Sequence, residues 1–408
     1  MADRSSVVLA ARLALLPVSL ALAAAAFVHA GSETETFWLG PGTSGRLGLD
    51  AHITAGIVDN DFRAEAARLQ PQASTPDAIP RLPDALIALA RTSYAVDPWA
   101  VTSLRTIALG SVLQDDEGRA RQLMRIAVQL SKRDSITNMW LAQDYGRAGD
   151  VEAMIASFDY ALRTSARARS LAMKPLVGTL ASEESHKTIG GLLAQHPAWE
   201  FAFWREFVQN PVALARAADF FEATSIPLEE LDEQYRTALY ANLKKRRQFD
   251  ALYRIAAIDR DARVGAKMLA EGKFVSADEG YPLGWTLRSQ GNFATRIHQE
   301  TDELRIDGNA GSFGIAADRV VRGGRDYRLV IKMAEAMPEN ARIRLSVRCA
   351  DEANRELASL SVGSGARTGE VAFSAEGCAF ANLALSFTVD PGRRDALIRI
   401  ANIALRPA

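Results

Sequence analysis

Histidine is scarce in this 408-residue chain, five in all, and cysteine scarcer still, at two. His29, His52, His186, His196 and His298 lie scattered, and none forms a pair of the H-E-x-x-H kind that holds a zinc ion. There is no excess of either charge: 48 Lys and Arg against 49 Asp and Glu leave a net charge of −1, so no overall field draws the chain to nucleic acid or to an anionic surface. The sequence also lacks a G-x-S-x-G elbow, a P-loop and any Gly-rich turn between a strand and a helix; "RVVRGGRDY" reads as a hairpin turn. The acids of "EES", "LEELDE" and "QDDE" fall on expected helices or turns, where solvated surface is the ordinary reading, whereas a glycosidase needs two carboxylates facing across a cleft at about 5–10 Å. These absences predict a protein that binds rather than catalyses, with no cofactor and no nucleic-acid partner. Aromatic residues are few, 7%, against 48% hydrophobic residues overall, a balance that suits an Ala-rich, helix-rich chain long enough for more than one core.

What is present begins with an export segment. Arg4 and Arg12 precede an uncharged run from Leu13 to Val28, and Glu33 and Glu35 follow it. Positive charge before and acid after an apolar run favour an N-terminus held in the cytoplasm and a chain delivered across the membrane. Two outcomes stay open. Leu13 to Ala30 approaches the ~20 residues that span a bilayer and would remain as a single-pass anchor, or Val28 and Ala30 serve as the small residues of a cleavage site before Gly31. The chain is expected on the periplasmic side of the inner membrane in the first case, and free in the periplasm in the second. For an exported chain the isolated pair Cys349 and Cys378 most simply forms a disulfide, with two buried thiols as the alternative.

Leu141 to Leu162, "LAQDYGRAGDVEAMIASFDYAL", places small and aromatic residues at helical spacing around an "AGD" that interrupts the helix. A shift of 34 residues, the period of the tetratricopeptide repeat, lays Ile107 on Leu141, Ala108 on Ala142, Ala120 on Met154, Met124 on Phe158 and Ala127 on Ala161. Leu141, Ala142, Tyr145, Gly149, Phe158 and Ala161 resemble that repeat, and Pro98 stands where such a unit ends. Three units follow, about 59–98, 99–132 and 133–166, the first broken by the proline-rich "QPQASTPDAIPRLP", with helical periodicity continuing to about Asp259. Stacked helix pairs of this kind form a solenoid whose concave side receives a partner. Asn138, Trp140 and Asp144, polar and aromatic residues of a first helix, are the candidate partner contacts; the residues of the repeat itself are expected to be packing.

Beyond about Ala270 the period changes. "YRLVIKM", "ARIRLSVRC", "LASLSVG", "GEVAFSA", "ANLALSFTV" and "ALIRIANIAL" alternate apolar and polar residues between turn residues, which predicts an antiparallel β-sandwich. The stretch "EGKFVSADEGYPLGWTL" before them, rich in Gly and charge, is expected to lie as a boundary between a helical core and a strand core, each independent of the other. "PLGW", a Gly-x-x-Tyr strand and the closing "ALIRIANIAL" resemble carbohydrate-binding jelly rolls. That resemblance implies sugar stacking on exposed rings, for which Trp285, Phe293, Phe313 and Tyr327 are the candidates, although strand aromatics of a small sandwich more often plug its interior.

The expected organisation is therefore multidomain α plus β: an N-terminal transmembrane or signal helix over 1–31, a linker over 32–58, a tetratricopeptide-like α-solenoid over 59–270 and a jelly-roll-like antiparallel β-sandwich over 271–408. As a whole it resembles membrane-anchored repeat proteins with a carbohydrate-binding-like sandwich found with bacterial exopolysaccharide systems. The resemblance implies a scaffold that grips protein partners of a polysaccharide assembly through the solenoid, touches polysaccharide through the sandwich and sits on the inner membrane through its N-terminal helix. A stand-alone glycan-binding module on a helical spacer and a polysaccharide hydrolase are the alternatives.

Overall fold

Aspartate starts many of the helices and a left-handed residue ends several of them. The computed structural model describes residues 50–69, 82–112, 116–276, 282–298, 300–350, 354–392 and 394–408. The expected export segment, most of the expected linker and most of the proline-rich loop lie outside the described residues. Among the described residues no helix is long and apolar enough to cross a membrane.

The chain forms two compact units that divide between Leu176 and Val177. The first contains α1 (Asp50–Leu69), α2 (Asp84–Val96), α3 (Val101–Val112), α4 (Glu117–Leu130), α5 (Ser135–Ala148) and α6 (Val151–Thr164), and α7 (Ala166–Gly178) runs through the division. The carboxylates of Asp116, Asp134 and Asp150 accept from the backbone N–H of Arg119, Thr137 and Ala153, satisfying donors that a helix start leaves open. Gly149, at φ 77°, turns α5 back through N–H bonds to Gly146 and Tyr145, so the "AGD" both ends one helix and caps the next. From Val101 to Ser135 and from Glu117 to Val151 the helix starts advance by 34 residues, the sequence period. Ala108, Ala120, Ala127, Ala142 and Ala161 are wholly buried, and their small side chains let the paired helices approach. Phe158 is 6% exposed.

The second unit begins with α8 (Glu184–Leu193), α9 (Glu200–Phe207), α10 (Pro211–Ala215) and α11 (Ala217–Thr224), whose Trp199, Phe203, Trp204, Phe207, Phe220 and Phe221 bury against one another. Then come α12 (Glu233–Lys245), α13 (Phe249–Ile258), α14 (Arg260–Ala270) and ten strands: β1 (Thr286–Leu287), β2 (Phe293–His298), β3 (Glu303–Gly308), β4 (Phe313–Arg322), β5 (Asp326–Met333), β6 (Ala341–Cys349), β7 (Glu356–Val362), β8 (Thr368–Ser374), β9 (Phe380–Val389) and β10 (Ala396–Pro407). One antiparallel sheet has the order β1-β4-β9-β6-β7 and the other β2-β3-β10-β5-β8. Eight of these strands wind as a jelly roll, β3-β10-β5-β8 against β4-β9-β6-β7. Alternation decides the faces: in β6, Ala341, Ile343, Leu345, Val347 and Cys349 point inward and Arg342, Arg344 and Arg348 outward. A disulfide joins Cys349, at the end of β6, to Cys378, with Cα atoms 5.6 Å apart.

The stretch after α14 does not divide the helices from the strands. Ala256, Ala262 and Leu269 of the helices belong to one hydrophobic cluster with Phe274, Trp285 and the sandwich interior. On the outer face of the first sheet, Phe380 receives the rings of Phe249 and Tyr253 at 5.7 and 5.5 Å, and the Tyr253 hydroxyl donates to the Val320 carbonyl at 3.1 Å. The change from helix to strand falls near the expected position, but α12 to α14 pack with the sandwich as well as with the helices before them.

Candidate ligand-binding cleft

The aromatic residues proposed from the resemblance as sugar platforms do not come together. Trp285 (1% exposed) packs on Phe274, Phe293 (3%) on Phe387 and Tyr327 (3%) on Phe373, so three of the four rings fill the sandwich and offer no face to a sugar. They occupy inward strand positions, where burial of a large ring is the stronger demand. Phe313, at the start of β4, is 70% exposed. Two of the three candidate partner contacts, Asn138 and Asp144, are buried and bonded within the fold. Asn138 is buried and its amide donates to the carbonyls of Lys132 and Asp134 at 2.9 and 2.8 Å. Asp144 takes a two-pronged bond from Arg121, both distances 2.7 Å, and that bond, against the opposing effect of burial, holds its pKa below the ordinary carboxylate value. Trp140 is partly buried against the cluster of Ala108, Met124 and Leu141. Asn138 holds the turn before α5, and Asp144 ties α5 to α4.

A cleft of about 630 Å³ opens instead in the second unit, between α12 and the outer face of the first sheet. Arg236, Tyr240 and Lys244, four residues apart on α12, share one helix face and form its wall. Register makes the floor: Thr286 lies opposite Asp318 and Val320 opposite Asn382, all on the outward side of the sheet. Lys245 and Arg247 stand at the end of the helix, and the lining also includes Phe249, Pro282, Arg288, Ala350 and Asn354.

The turn that ends α12 sets the two basic residues in place. Gln248 donates to the Leu243 carbonyl at 2.9 Å and Arg247 to that of Lys244 at 3.1 Å, the bonds of a Schellman turn. Arg247 fills its left-handed position at φ 59°, where glycine is the usual residue. Lys244 and Lys245 in the last turn also complement the negative end of the helix. Lys244 donates to Thr286 across the cleft.

The cleft is locally positive although the chain is not. Among the described residues, five basic ones, Arg236, Lys244, Lys245, Arg247 and Arg288, line it with one acidic residue, Asp318. Asp318 is held by Arg288 at 2.8 Å, and Arg236 pairs with Asp261 at 2.9 Å. Burial alone would lower the Arg236 pKa; the Asp261 hydrogen bond and the charges of Asp259 and Asp261 outweigh it and leave it raised. Burial, then the hydrogen bond to Asp259, pushes the Tyr240 phenol well above its ordinary range, so it stays protonated. This arrangement can receive an anion and hydroxyl groups. Among the described residues its lining holds a single carboxylate, Asp318, already committed to an arginine. Among the described residues no group of His, Cys, Asp and Glu could hold a metal ion.

The sequence by itself does not single out the residues of this cleft: the run "KKRR" over 244–247 lies in "YANLKKRRQFDALYRIAA", which reads as a helix, a tight turn and a helix. The run was the available signal. Its meaning depends on β1, β4 and β9, which are remote in the chain.

No protein-family model and no curated protein matches the chain. Among solved structures it is similar to TmCBM61 in complex with β-1,4-galactotriose, at 12% identity and a TM-score of 0.24, over 30% of this chain and 88% of that one. It is also similar to a CBM4 structure, at 12% identity and a TM-score of 0.25, over 34% of this chain and 98% of that one. A third likeness is to promiscuous carbohydrate-binding modules of the β-sandwich superfamily, at 12% identity and a TM-score of 0.22, over 33% and 61% of the two chains. At these values the likenesses carry nothing about a ligand. The two-sheet jelly roll rests on this chain's own strand pairing.

Proposed function

We propose that this protein is a non-catalytic scaffold of the bacterial cell envelope, anchored by Leu13 to Ala30 on the periplasmic side of the inner membrane, in a system that makes or exports exopolysaccharide. Its helix pairs, read as tetratricopeptide repeats, hold protein partners, and its sandwich unit holds glycan. The observation that carries the binding role is the cleft of about 630 Å³ on the outer face of the first sheet, lined among the described residues by hydrogen-bonding and cationic groups and one carboxylate. The 34-residue step between helix starts supports the repeat reading. The test is affinity capture of the full chain from a detergent extract of its own cells, with proteins identified by mass spectrometry and bound sugar by composition analysis. Retention of polysaccharide-assembly proteins supports the scaffold; sugar without protein would replace it by a glycan-binding module on a helical spacer; neither would refute both.

A further inference from the structure

Which glycan the sandwich unit takes is written in the charge and texture of the same face. The outward residues of β9 beyond the cleft are Asn382, Ala384, Ser386 and Thr388, small and mostly polar, running about 20 Å at ~3.3 Å per residue. They end at a second hollow of about 220 Å³ whose lining includes Arg342, Arg344, Ser361 and Ser386. Along β6 beside them, register sets Arg342, Arg344 and Arg348 opposite Thr388, Ser386 and Asn382. Glu356 pairs with Arg344 at 2.9 Å and with Arg348 at 3.3 Å, while Arg342 is exposed at the far end. A cationic cleft and a second arginine-bearing hollow thus lie on one sheet face, joined by a polar strip. The Oδ1 atom of Asn382, at their junction, is buried without a hydrogen-bond partner.

Neutral sugars are held largely by aromatic rings stacked on their apolar faces, and single-stranded nucleic acid by aromatic platforms for its bases. This strip has neither: its aromatic neighbour Phe380 is covered by Tyr253 and Phe249. What it has is basic side chains of both kinds, Lys as point charges and Arg as planar forks suited to carboxylates, interleaved with hydroxyls and amides that suit a hydroxyl-rich chain. We infer that the outer face of the β1-β4-β9-β6-β7 sheet binds an acidic polysaccharide, whose carboxylates enter the Lys244–Arg288 cleft and whose chain runs along β9 toward Arg342. This inference rests on the reading of the sandwich unit as the glycan-binding region. It replaces stacking on Trp285, Phe293 or Tyr327 by charge and hydrogen bonding.

The test uses the detergent-purified full chain with three probes: polygalacturonate, a neutral galactan and poly(dT). Two variants carry the same charge change, Lys245→Glu in the cleft and Lys332→Glu on the exposed face of the other sheet. Polygalacturonate is expected to bind, with affinity falling as salt rises from about 50 to about 200 mM, as for any polyanion held by counterion release. Lys245→Glu is expected to weaken it by about threefold to tenfold, the effect of reversing one solvent-facing charge, and Lys332→Glu to leave it unchanged. Galactan bound as tightly as polygalacturonate would overturn the acidic ligand and leave the glycan reading standing. Failure of both sugars to bind would overturn the glycan reading itself. Poly(dT) bound as tightly as polygalacturonate would overturn the commitment to a sugar chain, and an equal loss in Lys332→Glu would overturn the location.

Discussion

Tyr253, with Phe249, seats α13 on the sheet beside the helix that walls the cleft. Its hydroxyl donates to the Val320 carbonyl at 3.1 Å, its ring lies over Phe380 at 5.5 Å and 28°, and the Arg322 guanidinium sits 5.0 Å from its centroid. Tyr253→Phe removes the hydrogen bond alone and is expected to cost about 1 kcal/mol. Tyr253→Ala removes the ring contacts as well and is expected to cost roughly 3 kcal/mol, at the low end for aromatic truncation because the side chain is only partly buried. Urea unfolding at neutral pH measures both. Alkaline pH supplies a second reading. Burial, against Arg319 and Arg322, pushes the Tyr253 phenol from its ordinary 10.0 up to about 12. The folded pKa lies above the unfolded one, so this stability is fully present below pH 10.0 and is lost as pH rises toward about 12. Tyr253→Phe should lack that share of the alkaline loss. If Tyr253→Ala costs no more than Tyr253→Phe, the ring does not seat on the sheet and α13 is not held there by it.

Further outcomes follow from other contacts. Replacing Cys349 and Cys378 together by serine should lower stability by about 3–4 kcal/mol, the loop-entropy value for a separation of 29 residues, in chemical denaturation without reductant; a loss below about 1 kcal/mol would count against it. Phe158→Ala in α6 should cost about 3–5 kcal/mol, since the ring is 6% exposed, and a change under about 1 kcal/mol would mean that it is not packed between helices. The depressed pKa of Asp144 confers stability that is present above its ordinary value of 3.8 and lost as pH falls through the folded pKa; Arg121→Gln should flatten that acid limb in pH-dependent unfolding. Ending the chain at Gly272 strips Phe380 from Phe249 and Tyr253, so α12 to α14 should lose protection from hydrogen exchange while α3 to α6 keep theirs; native-like exchange in α13 would show that the helices do not depend on the sandwich.

Local patterns carried far in this chain. Alanines at helical spacing, Asp116, Asp134 and Asp150 before helix starts and Gly149 after α5 specify the helix pairs, because capping and small-residue approach are settled within a few residues. Alternation in "ARIRLSVRC" and "ANLALSFTV" specifies strands and which residues share a face. It does not say what covers each face. Only the closed sandwich turned Trp285, Phe293 and Tyr327 inward, and only the packed helices used up Asn138 and Asp144. The cleft is the furthest from local reading: Lys244 and Lys245 share its lining with Thr286, Asp318 and Asn382, which are far away along the chain. A periodicity fixes side-chain direction within one element, while a site between elements depends on which faces meet when loops of many tens of residues close, and that is decided by the burial of the whole core.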